Sequence, residues 1–106
     1  MGDVLREDVL KAAATFAAHV DAHRDTFATS RQALLRYAAF RATRQPYCLR
    51  NQFSMLRQAM SPIPLFHEIT RHWSSRSTNL LIAKAAEAVW ERAETEERAR
   101  WQERIW

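Results

Sequence analysis

The sequence predicts an all-α protein. One glycine and three prolines in 106 residues are too few turn-forming residues for a sandwich or barrel of many short strands. Apolar residues make up 47% of the chain and charged residues 26%, which is typical of a globular protein. Along most of the chain the apolar residues recur every three to four positions, the period of an amphipathic helix. A chain of this length has room for one compact domain.

Two N-terminal helices are predicted over residues 1–44. Asp3 is a suitable N-cap for the first helix, and Thr29 or Ser30 for the second. The second helix should end before Pro46, because the residue that precedes a proline disfavours helical geometry. The apolar positions of the first helix are Val4, Leu5, Val9, Leu10, Phe16 and Val20. Those of the second helix are Leu34, Leu35, Ala38 and Phe40.

The second half of the chain predicts four further helical segments. After Pro46, a helix is indicated by apolar residues at intervals of four, three and four, and a break at 61–64 ends it. A short helix over 65–73 and a polar loop over 74–79 follow. Thr78 or Asn79 should cap the next helix, which runs to about residue 92, and Thr95 should cap the last. The apolar residues of the first of these helices are Leu49, Phe53, Leu56 and Met60.

Positive charge is concentrated in the middle of the chain. The formal net charge is +4, and by residue type it divides into zero over 1–40, +5 over 41–92 and −1 over 93–106. All but one of the central bases are arginine, whose planar fork suits phosphate groups and base edges. This distribution favours an anionic partner, although a solvated helix surface would give the same pattern.

Three segments in the second half resemble the motifs of the HMG-box family, in the family's order. Residues 50–57 read Arg-Asn-Gln-Phe-Ser-Met-Leu-Arg and are similar to the start of the first helix of a box. Residues 82–90 read Ile-Ala-Lys-Ala-Ala-Glu-Ala-Val-Trp and are similar to the second helix. Residues 96–101, Glu-Glu-Arg-Ala-Arg-Trp, lie where the family has its third motif. Boxes of this general kind include those of fungal mating-type regulators.

The resemblance implies an HMG-box-like, L-shaped three-helix domain over 46–106, with a shortened third helix. Residues 1–45 would form an N-terminal helical extension. Phe53, Trp90 and Trp101 would form the core of the box at its elbow. The resemblance further implies binding to double-stranded DNA in the minor groove, possible DNA bending, and transcription regulation in the nucleus, although no import signal is visible.

The resemblance also implies a set of DNA-binding residues. Asn51 matches a position that reads base edges, while Ser54 replaces the apolar residue that many boxes insert between base steps. Met55 is adjacent but about 100° further round the helix, where it could belong to the core instead. Ser54 and the short third helix favour an alternative, a helical protein-interaction module that has lost DNA binding. The full set is Arg50, Asn51, Ser54, Met55, Arg57 and Lys84.

Other kinds of site are not expected. His19 and His23 have a spacing that can hold zinc, but they lack the surrounding motif of a metal site. Cys48 is the only cysteine, which excludes an internal disulfide and a cysteine-rich zinc site. Gly2 is the only glycine, which excludes a phosphate-binding glycine loop. No catalytic residue, cofactor, small-molecule substrate or membrane span is therefore predicted. Trp73 and Trp106 either cap the core or contact a partner.

Overall fold

The computed structural model describes residues 2–43 and 52–105, and these residues confirm the all-α prediction. Within these two ranges, the only β structure is an isolated bridge between Gly2 and Trp73. The described residues form six helices: α1 (Arg6–Ala22), α2 (Ala28–Thr43), α3 (Gln52–Met60), α4 (Pro64–Thr70), α5 (Ser75–Arg92) and α6 (Thr95–Ile105).

Helices α1, α2 and α5 form the centre of the molecule. The packing of α1 on α5 is the most extensive, followed by that of α2 on α5. Alanines on the facing sides of α1 and α5, such as Ala17 and Ala85, are fully buried and let the two backbones approach closely. The large side chains that are completely buried in these three helices are Val9, Phe16, Val20, Leu34, Leu35, Leu81, Ile82 and Val89.

The remaining helices pack around this centre. Helix α3 contacts α2 and α5, α4 contacts α1, and α6 lies against α2. Residues from both sides of position 45 contribute to one hydrophobic core. The division of the chain at that position, and the L-shaped arrangement of α3, α5 and α6, remain predictions. Helices α1 and α2 supply much of the surface against which the other helices pack.

The predicted loop over 74–79 is wrong, because α5 begins at Ser75. The Ser74 hydroxyl caps the helix by accepting a hydrogen bond from the backbone N–H of Ser77 at 3.1 Å. Ser77 and Thr78 are buried, and the Thr78 hydroxyl donates to the Ser74 carbonyl oxygen at 3.0 Å. A run of serine, threonine and asparagine favours a loop in isolation, but here its hydroxyls are bonded within the first turns of a helix.

The starts of α1 and α2 also differ from prediction, because the polar side chains expected to cap them make contacts with other parts of the fold. Asp3 is not the N-cap of α1: Leu5 precedes the helix without a side-chain cap, and the Asp3 carboxylate accepts a hydrogen bond from Ser74 instead. Helix α2 begins before its predicted caps, and the Ser30 hydroxyl donates to the Ala59 carbonyl oxygen at 2.6 Å, which ties α2 to α3.

Helices α4 and α6 also differ from prediction by a few residues. Helix α4 begins at Pro64, a residue suited to the first helical turn. It ends at Thr70 rather than near 73. Helix α6 includes Thr95 as its first residue, and the Glu94 carbonyl oxygen accepts the first hydrogen bond, from the Arg98 N–H at 3.0 Å.

Candidate nucleic-acid interface

Two of the predicted DNA-binding residues of α3, Ser54 and Met55, are exposed, whereas Arg57 is partly buried. Ser54 is exposed, and 65% of the surface of Met55 is exposed, so the alternative that Met55 belongs to the core is wrong. The reason is that Gln52, Leu56 and Met60 take the buried side of this helix. Arg50 and Asn51 lie outside the described residues.

Arg57 and Lys84 are held by different partners. One guanidinium nitrogen of Arg57, Nη1, donates a hydrogen bond to Oδ1 of Asn79 at 2.5 Å, which joins α3 to the start of α5. Nζ of Lys84 lies 3.4 Å from a carboxylate oxygen of Glu87 on the next turn of α5. Arg57 therefore keeps its full positive charge beside a neutral amide, whereas the charge of Lys84 is partly offset.

The three aromatic residues predicted to meet at an elbow are all partly buried against the core. The ring of Phe53 packs on that of Tyr37 in α2, with centroids 5.6 Å apart. Trp101 lines a cleft at the start of α2, beside Ala28. The meeting of Phe53, Trp90 and Trp101 at one point stays a prediction.

An open cleft lies between the N-terminal segment, α3 and the start of α5. We call it the arginine cleft, because Arg6 and Arg76 both line it, and its volume is about 540 Å³. Both side chains are exposed, and neither has a hydrogen-bond or ion-pair partner among the described residues. Its remaining lining residues are Asp3, Val4, Phe53, Ser77, Asn79, Leu80 and Ala83.

Hydrogen bonds from the N-terminal segment to α5 hold this cleft together. The Gly2 carbonyl oxygen accepts from the Ser74 N–H at 3.1 Å, and the Val4 N–H donates to the Ser77 hydroxyl at 2.9 Å. The Asp3 carboxylate accepts from the Ser74 hydroxyl at 2.5 Å. These bonds place the first turn of α1, and with it Arg6, beside the first turn of α5. Sequence reasoning missed this pairing, because no local pattern links segments some seventy residues apart.

Arginines therefore surround the exposed side of α3. Arg57 is on α3 itself, Arg6 and Arg76 line the arginine cleft, and Arg36 lines a second cleft between α3 and α2. Asp3 is the one carboxylate among the lining residues of these two clefts, and its charge is partly satisfied by serine hydroxyls. The resulting positive potential favours an anionic ligand over this part of the surface.

The second cleft, which we call the α2–α3 cleft, is smaller and more apolar. It has a volume of about 190 Å³. Gln52 is buried, and no hydrogen-bond donor among the described residues reaches its Oε1 atom. Burial raises the pKa of the Tyr37 hydroxyl, so this side chain is neutral near pH 7. The lining residues are Ala33, Arg36, Tyr37, Gln52, Met55, Leu56 and Ala59.

A buried ionic cluster lies away from α3 and ties four helices together. Arg31 donates to Asp21 at 2.9 Å and, through both terminal nitrogens, to the carboxylate of Glu97 at 2.8 and 2.9 Å. Asp21 also accepts from Arg92 at 2.7 Å. The hydrogen bonds that Arg31 donates lower the pKa of Glu97. The same bonds to Glu97 raise the pKa of Arg31, against the effect of burial. The bonds between Arg31 and Glu97 therefore hold α6 against α2.

His19 and His23 form an aromatic contact within α1 and the turn that follows it. Their ring centroids lie 4.5 Å apart, and Nδ1 of His23 is 2.9 Å from the His19 carbonyl oxygen. No group of three or more histidine, cysteine, aspartate or glutamate side chains within residues 2–43 and 52–105 is placed to hold a metal ion. In the same residues no helix has the length and apolar character needed to cross a membrane.

Comparison of the chain with protein-family models, curated proteins and solved structures finds no match. The HMG-box resemblance therefore rests on the three sequence motifs alone.

Proposed function

We propose that this protein binds double-stranded DNA through the exposed side of α3 and the arginines around it, as a divergent HMG-box protein. The observation that carries the proposal is the arginine cleft, in which Arg6 and Arg76 are unpaired within the described residues and adjoin the helix that bears Arg57. In this proposal α3, α5 and α6 form the L-shaped box, which contacts the minor groove and acts in transcription regulation in the nucleus.

The chemistry of these side chains supports a phosphate-rich partner. Arginine presents donors in a planar fork that matches phosphate geometry. Because Arg6 and Arg76 have no competing carboxylate partner in the described structure, DNA binding would not have to break an ion pair. Lys84 is a weaker candidate, because Glu87 offsets its charge.

The exposure of Met55 supports a role for α3 in bending DNA. Minor-groove proteins commonly insert an apolar side chain between base steps, and Ser54 has almost no apolar surface to insert. Met55 is 65% exposed, about 100° round α3 from Ser54, and its unbranched side chain adapts to irregular surfaces. We therefore assign the wedge to Met55 rather than to position 54.

Salt-dependent DNA binding tests the proposal. Fluorescence anisotropy of a labelled duplex, measured at several salt concentrations, should show affinity that falls steeply with salt. Arg6→Ala and Arg76→Ala should each reduce the slope of log K against log salt by about 1. Arg71→Ala is the matched control, because Arg71 is exposed and lines neither cleft. Absence of binding at low salt, or an unchanged slope in the Arg6→Ala, Arg76→Ala double variant, would contradict the proposal.

Bending is tested separately by energy transfer between dyes at the two ends of a duplex. Met55→Ala should reduce the bend, and Ser54→Ile should increase it, since isoleucine restores an apolar group at position 54. If both variants bend DNA as the wild type does, α3 does not supply the wedge.

A second candidate function, a helical protein-interaction module, is favoured by the α2–α3 cleft. Met55 and an apolar lining are exposed there, which is typical of surfaces that bind other proteins. This function predicts a complex with a protein partner, or self-association, that persists at salt concentrations which abolish DNA binding. Analytical ultracentrifugation at high salt distinguishes the two functions.

A further inference from the structure

We infer that the α2–α3 cleft binds the indole ring of a tryptophan in an acidic segment of a partner protein. This inference rests on the second function above, the protein-interaction module. It shares Met55 and Arg36 with the surface proposed for DNA, but its test does not require DNA. Size, hydrogen bonding and charge each contribute to it.

The size and lining of the cleft suit a bicyclic aromatic ring. Its volume of about 190 Å³ exceeds the roughly 150 Å³ of an apolar cavity that takes up benzene. Ala33 and Ala59 keep two of its walls short, and Tyr37 and Leu56 supply apolar surface. Met55 lies at the exposed edge, where its thioether can fold over a ring, a favourable sulfur–aromatic contact.

Hydrogen bonding selects indole among the aromatic side chains. Gln52 is 5% exposed, and its Oε1 atom has no donor among the described residues. The indole N–H is a donor without an acceptor, so it can satisfy this oxygen and add no further unpaired group. The Oε1 atom itself has almost no accessible surface, so the amide must turn about its broad terminal torsion to meet the ring. Phenylalanine would bring no donor, and a tyrosine hydroxyl would bring an acceptor as well.

Charge selects the segment that carries the ring. Arg36 is the one charged residue of the lining. It is exposed, and the described residues provide no partner for its guanidinium. Carboxylates next to the tryptophan would pair with this guanidinium, and such complementarity favours correct partners over wrong ones.

The test uses short acidic peptides and the full chain labelled with ¹⁵N. A five-residue peptide with a central tryptophan should cause saturable chemical-shift changes at the backbone amides of Ala33, Met55 and Ala59. A matched peptide with a central alanine should bind at least about tenfold more weakly, because the apolar contact is lost. A peptide with a central 1-methyltryptophan should bind about fivefold more weakly, because its ring nitrogen has no hydrogen to donate.

Two protein variants complete the test. Arg36→Glu should weaken binding of the tryptophan peptide about tenfold by charge reversal. Arg71→Glu, at an exposed position that lines neither cleft, is the control and should leave the affinity unchanged. Ala33→Phe should fill the cleft and abolish binding. If that variant does not fold, the affinity of Arg36→Glu for the tryptophan peptide still tests whether the peptide binds in the α2–α3 cleft.

Equal affinity for the tryptophan and alanine peptides would overturn the inference. So would equal affinity for the tryptophan and 1-methyltryptophan peptides, or chemical-shift changes confined to helices other than α2 and α3. The duplex titration reports on the DNA proposal independently. A failure of either experiment therefore leaves the other interpretable.

Discussion

Replacing Arg31 by methionine should strongly destabilise the protein. Only 7% of the Arg31 side chain is exposed, as are 9% of Asp21 and 22% of Glu97. The substitution removes three charge-assisted hydrogen bonds and leaves two largely buried carboxylates without their shared partner. Removal of one partner from a buried ion pair typically costs about 3–5 kcal/mol.

The local geometry places the expected loss at the lower end of that range. Asp21 retains Arg92, whose Nε lies 2.7 Å from its second carboxylate oxygen. Glu97 is exposed enough to be partly rehydrated. We therefore expect Arg31→Met to reduce the free energy of unfolding by about 3 kcal/mol, measured by urea denaturation followed by circular dichroism. Arg36→Met, an exposed position on the same helix, is the control and should change stability by less than about 0.5 kcal/mol.

The pH dependence of this difference gives a second readout. Arg31 lowers the pKa of Glu97 in the folded state, so the pair stabilises the fold above the unfolded-state pKa, about 4.3 for glutamate. That contribution is lost as the pH falls through the lowered folded-state pKa. The difference between wild type and Arg31→Met should therefore shrink in acid. A variant within about 1 kcal/mol of wild type at neutral pH, or a difference that does not shrink in acid, would show that the ion pairs of Arg31 do not stabilise the fold in this way.

Further predictions concern the cap of α5, the core and the unpaired amide, each measured by the same urea denaturation. Ser74→Ala should cost about 1–2 kcal/mol, because it removes the N-cap of α5 together with the bond to Asp3; no loss would mean that the cap is not needed. Met60→Ala should cost about 2–5 kcal/mol, because the side chain is completely buried, and a smaller loss would show that the core collapses around the gap. Gln52→Leu should raise the free energy of unfolding by about 1 kcal/mol, because it removes a buried acceptor without a donor; destabilisation instead would indicate that the amide is satisfied.

Much of the helical framework could be predicted because apolar spacing is a local signal. Phe16 and Val20 in α1, and Leu56 and Met60 in α3, are four residues apart, which places each pair on one side of a helix, and all four are buried. The prediction failed where side chains were used for tertiary contacts. Asp3 bonds to Ser74 rather than capping α1, and the polar run after residue 74 forms the first turns of α5.

The candidate site was predicted only in part. Ser54, Met55 and Arg57 fall on one short helix, so their proximity follows from the sequence. Arg6 does not share a local pattern with Arg76, and it lies in a segment whose net charge is zero. The two arginines line one cleft because the N-terminal segment is hydrogen-bonded to the start of α5.

The order of the amino acids is enough to predict that this protein is helical, approximately where its helices lie, and which of its segments carries the excess positive charge. Helix formation depends on neighbours three and four residues apart, so it can be read from a local pattern. Which charges are buried in pairs and which remain on the surface depends on how the helices pack against one another. Arg31 and Glu97 are separated by 66 positions, and their pairing depends on the packing of α6 against α2. The packing of the N-terminal segment, α2 and α5 around α3 leaves Arg6, Arg36 and Arg76 exposed near this helix.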